Sequence, residues 1–89
     1  MAQFTGMDIG EVRALAAQLQ SSGNEIQQIA TKLTSQLEAA PWVGPDRERF
    51  VSDWHGQHKA SLMQISQALQ TASQMATKNA NDQEAASNN

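Results

Sequence analysis

The sequence predicts an all-α protein, an antiparallel helix-turn-helix hairpin that forms a four-helix bundle on dimerisation. Three observations carry that expectation. Ala, Gln, Ser and Leu dominate while Tyr and Cys are absent, a composition that favours helix over strand. The only two prolines, Pro41 and Pro45, stand together near the middle and leave two long segments free of helix breakers. Each of those segments carries an apolar stripe at alternating three- and four-residue spacing.

The first helix is expected over 8–40. Asp8-Ile-Gly-Glu11 supplies an N-cap acid and the glutamate of a reciprocal capping box. Val12, Leu15, Leu19, Ile26, Ile29 and Leu33 then form a heptad-like seam once Ser22 is allowed a seam position, and Leu37 and Ala40 continue it to the turn. Gln18, Gln20, Asn24, Gln27, Gln28, Lys32 and Gln36 fill most other positions, so one face is apolar and the rest is wet. Gly23 costs up to ~1 kcal/mol of helix propensity and reads either as a close-packing notch or as a mild kink.

The turn is expected over 41–45 and the second helix over 46–81. Gly44 serves as cap with Pro45 at the first helical position, and Asp46 and Glu48 suit the positive helix N-terminus. The second stripe runs Phe50, Trp54, His58, Leu62, Ile65, Leu69, Ala72 and Ala76, widened by Val51, Met63 and Met75. Gly23 and Gly56 are both candidates for close approach. After Met75 the apolar content falls, which predicts fraying and a flexible tail over 82–89. The whole of 1–89 reads as one hairpin unit.

Composition narrows the function. A chain of this size buries little surface, and without disulfides or a metal the usual source of further burial is a second chain. A net charge of −3 with only six Lys and Arg, all scattered, argues against nucleic acid. No stretch reaches the ~20 apolar residues of a membrane span, and the start lacks the basic and apolar regions of a cleaved Sec-type signal. Polar faces rich in Gln, Ser and Asn also count against stable membrane insertion through an amphipathic helix.

Trp42-Val43-Gly44 thus falls in a turn between two amphipathic helices of a chain just under a hundred residues long. The combination resembles the WXG-100 (early-secreted-antigen-like, Esx) family of type VII secretion substrates. Trp42-Val-Gly-Pro-Asp46 followed by Phe50 and Trp54 is similar to the Trp-x-Gly-x-Asp and Phe-x-x-x-Trp arrangement of many actinobacterial members, and the resemblance covers about Met7 to Ser87. It implies a secreted protein, or secretion partner, that leaves through a type VII system without a cleaved signal peptide and is cytoplasmic before export. It also implies pairing with itself or a paralogous WXG-type protein, and docking on a secretion ATPase. Exported members often carry Tyr-x-x-x-Asp/Glu after the second helix; this chain has no tyrosine, an arrangement compatible with export when a partner supplies that signal. The alternatives are a cytoplasmic adaptor for a larger secreted toxin and a generic coiled-coil assembly module.

Individual residues carry a structural and a functional reading side by side. Trp42 over Gly44 forms a hydrophobic plug on the hairpin end; the resemblance adds a composite docking surface for the ATPase. Phe50 and Trp54, one turn apart, belong to core or dimer seam. His55 and His58 at i, i+3 lack a third ligand, so no metal or cofactor is expected, and His58 reads as a partly buried seam residue. No nucleophile, base and orienting group fall together and no phosphate-binding loop occurs, so the expectation is a non-enzymatic protein. Asp46, Glu48 and Asp53, with Arg47 and Arg49 interleaved, suit capping and a solvated face. The dimer seam is expected at Val12, Leu15, Leu19, Ile26, Ile29 and Leu33 against Phe50, Trp54, Leu62, Ile65 and Leu69.

Overall fold

A computed structural model describes residues 8–88; residues 1–7 and 89, which belong to the expected hairpin unit and its tail, lie outside the described residues. Helix α1 spans Ile9–Ala39, α2 spans Pro45–Asp53, a π-helical turn spans Trp54–His58, and α3 spans Lys59–Asn88. The chain is all-helical across the described residues, and α1 packs along α3 as an antiparallel hairpin. Its extents of 65 × 18 × 15 Å and radius of gyration of 19.5 Å describe a rod; a globule of this length would have a radius of about 12 Å.

Local chemistry sets the ends of the helices. The Asp8 carboxylate accepts the Glu11 backbone N–H at 3.0 Å, relieving one of the amides that a helix start leaves free. At the other end Ala40 is extended, at φ −68° and ψ 138°, as a residue before proline must be. Gly44 has φ +128°, the one positive φ among the described residues, and Pro45 opens α2 behind it. A side chain at position 44 would strain the reversal.

The interior of the hairpin is built from small residues. Ala16, Gly23 and Ala30 recur at heptad intervals and are buried on α1; Ser66, Ser73 and Ala80 do the same on α3. Ser73 Oγ donates to the Ala16 carbonyl at 2.6 Å and Ser66 Oγ donates to the Gly23 carbonyl at 2.7 Å. One heptad forward along α1 and one back along α3 therefore repeats the same hydroxyl-to-main-chain bond. A Cβ on Gly23 would sit 3.1 Å from the Ser66 carbonyl oxygen and 2.9 Å from Gln70 Nε2, which makes Gly23 the close-packing notch of the two readings. A Cβ on Gly56 would meet nothing within 4 Å, so the expectation of close approach there is corrected.

Two further expectations change. The second helix neither runs uninterrupted nor stops near 81: the π turn interrupts it early and α3 continues to Asn88. The expected tail is held by Arg13, which donates to Glu84 Oε1 and to Asn81 Oδ1 at 2.9 Å each, and by a Lys78–Asp82 pair at 2.8 Å one turn apart. Helix-favouring Ala85 and Ala86 need no apolar burial to extend it further. His58, expected in the seam, is exposed.

Candidate interaction face and hairpin tip

The heptad that buries Ala16, Gly23 and Ala30 places Val12, Leu19, Ile26 and Leu33 on one flank of that line, with Leu15, Ser22 and Ile29 further round the same side. On α3 the equivalent positions are Leu62, Leu69 and Ala76, with Ile65 and Ala72 beyond them. Antiparallel neighbours are related by a local two-fold axis normal to the plane of the pair, so these flanks emerge on one face of the hairpin. Val12, Leu19, Ile26, Leu62 and Leu69 are half-buried, whereas Leu15 is 54 % exposed, Ile29 51 % and Ile65 49 %. Large apolar side chains that a longer core would cover stand in solvent here.

The opposite side is mainly polar and carries hydrogen bonds that cross between the two helices. Gln70 Nε2 donates to Asn24 Oδ1 at 2.9 Å, and Arg13 reaches Asn81 and Glu84 further along. The Arg13 hydrogen bond, and secondarily its charge, lower the Glu84 pKa below its ordinary value, while the same hydrogen bond raises that of Arg13. Asp82 likewise raises Lys78 through a hydrogen bond and then its charge.

Among the seam residues expected between chains, Trp54 is used inside this one. It is 5 % exposed, and its Nε1 donates to Thr34 Oγ1 at 2.8 Å, which in turn donates to the Ala30 carbonyl at 2.8 Å. This corrects its assignment to a seam between chains. The π turn explains how Trp54 comes to face α1: an i→i+5 turn adds one residue to the repeat and rephases the helix. Without that insertion Trp54 and the Ser66 line could not both point at α1.

Trp42, Val43 and Phe50 form the tip. The Trp42 and Phe50 rings lie 6.3 Å apart, Phe50 stacks near Trp54 at 6.4 Å, and Phe50 meets His58 at 6.5 Å. Trp42 caps the hairpin end only in part, because it remains exposed together with Phe50, and Val43 is 87 % exposed. His55 and His58 both lie exposed in the π turn, and among the described residues no three His, Cys, Asp or Glu side chains group as metal ligands. No helix among them is long and apolar enough to cross a membrane.

Sequence reasoning missed the small-residue interior, the Thr34–Trp54 bond and the Arg13 clamp. No family model, curated protein or solved structure matches the chain.

Proposed function

We propose that this chain is a non-enzymatic interaction protein of the WXG type, which pairs through its apolar face with another helical hairpin and serves as a substrate or partner of a type VII secretion system. The observation that carries the reading is the uncovered apolar face of Leu15, Ile29 and Ile65 on a hairpin whose own interior is already filled. Apolar surface of this extent on a small helical rod marks a docking surface. Trp42-Val-Gly44 at the reversal, with Phe50 packed against Trp42, supports the secretion half of the reading. In it, the exposed Trp42, together with a partner's tail, meets the secretion ATPase.

Immunoblots of culture filtrate and lysate, with a lysis control, test this reading. Export that stops and intracellular accumulation on deletion of the secretion ATPase are expected. Trp42→Ala is expected to keep the helical circular dichroism and to lower export severalfold. An unchanged distribution in the ATPase deletion would return the chain to a generic coiled-coil module, and retention in the cell beside an exported toxin would make it an adaptor.

A further inference from the structure

We infer that residues 45–58 form a two-register element, in which the π turn gives way to plain α-helix, α2 turns about its axis by about 100°, and His55 replaces Trp54 against α1. The device lies apart from the pairing face and holds whatever that face binds. The π turn adds one residue to the helical repeat, since the Lys59 N–H donates to the Trp54 carbonyl five residues back. Passing that bond to the His55 carbonyl removes the addition and leaves α3 in place. Periodicity then fixes what the second register presents. Trp54 precedes Ser66 by twelve residues, in plain α-helix three turns and about 120°, so it would leave α1. His55 precedes Ser66 by eleven, three turns and about 20°, and would stand opposite Thr34, whose hydroxyl can accept from an imidazole N–H. One turn earlier, Val51 would replace Phe50. Each register thus offers α1 an apolar residue followed one turn later by a ring that donates a hydrogen bond.

Little in the fold resists this rotation. No residue of α2 is buried, and α2 packs on the π turn rather than along α1. The non-helical stretch 40–44 joins it to α1, with Gly44 at φ +128° as a pivot. A Cβ on Gly56 would meet nothing within 4 Å, so no neighbour blocks rewinding of the turn. The first register is held by Trp54 itself, 5 % exposed and bonded to Thr34 Oγ1 at 2.8 Å. Its release brings a second indole into solvent at the end of the rod that already exposes Trp42 and Val43. A partner that grips the released ring therefore draws the element into the second register, by its differential affinity for the two states.

Acrylamide quenching of the full chain carrying Trp42→Phe, which leaves Trp54 as the remaining indole, tests the inference. Adding His55→Leu gives the second register an apolar residue for α1. Quenching of Trp54 should then rise severalfold, from the shielding of a ring 5 % exposed towards that of one, like Trp42, at 43 %. Deleting Gly56 from that variant places Trp54 eleven residues before Ser66 in plain α-helix, so quenching should return to its starting value with the helical circular dichroism unchanged. In the wild-type chain, relaxation dispersion at the Trp54 indole N–H should show microsecond-to-millisecond exchange that the Gly56 deletion abolishes. Trp54 as shielded with His55→Leu as without it overturns the inference, as does flat dispersion in the wild type. Quenching that stays high after the deletion overturns it too, because the leucine would then have loosened the tip without changing its register.

Discussion

Gly23→Ala sets two quantities against each other at one site. Replacing a mid-helix glycine by alanine raises helix propensity by up to ~1 kcal/mol. Here the new Cβ would stand 3.1 Å from the Ser66 carbonyl oxygen, a main-chain atom that yields only if α1 and α3 separate. Overpacking of that kind costs ~1 to 3 kcal/mol, and separation also stretches the 2.7 Å bond from Ser66 Oγ to the Gly23 carbonyl, worth ~1 kcal/mol. The net expectation is a loss of about 1 to 3 kcal/mol, or at least ~4 °C in Tm for a domain of this size. Thermal and urea denaturation followed by circular dichroism, at one fixed protein concentration because association adds to apparent stability, measures it. Gly56→Ala is the matched control, since its Cβ meets nothing within 4 Å and only the propensity gain should appear. Equal stabilisation by both substitutions would refute the notch and the small-residue interior with it.

Thr34→Val should leave Trp54 Nε1 buried without an acceptor, at a cost of ~1 to 3 kcal/mol, with a change in tryptophan fluorescence; an unchanged denaturation midpoint would show that the 2.8 Å bond contributes nothing. Acid should loosen the end of α3. Glu84 has a folded pKa below its ordinary value, so its contribution is present above the ordinary glutamate range and is lost as pH falls through the depressed value. Protection factors of the Ala85 and Ala86 amides, which divide out the intrinsic slowing of exchange in acid, should fall at that low pH in wild type, and Arg13→Ala should show low protection at neutral pH with little further change in acid. Both groups are well exposed, which keeps the effect local to the last turns.

The helical hairpin was legible because its signals are local: two prolines, one glycine able to take positive φ, and two periodic stripes. The placement of the seam was less so. A three-and-four spacing identifies an apolar side of a helix but not which edge of that side is enclosed, and the large residues Leu15 and Ile29 outweigh the small ones between them. The overlooked signal is the matching heptad line of Ala16, Gly23 and Ala30 against Ser66, Ser73 and Ala80. Close helix approach selects for small side chains, which hydrophobicity alone discounts. The π turn also left a trace, since Phe50, Trp54, His58 and Leu62 follow one another in steps of four and outrun the 3.6-residue period. The Arg13 clamp could not be read at all, because its partners lie 68 and 71 positions away.

Serine hydroxyls and main-chain carbonyls of facing helices tie the closest line of this rod together, while Leu15, Ile29 and Ile65 stand in solvent. The positions that bring the two helices closest are thereby different from those that remain most exposed. Substitutions at 15, 29 or 65 therefore change the surface of the rod while leaving its closest helix contacts in place.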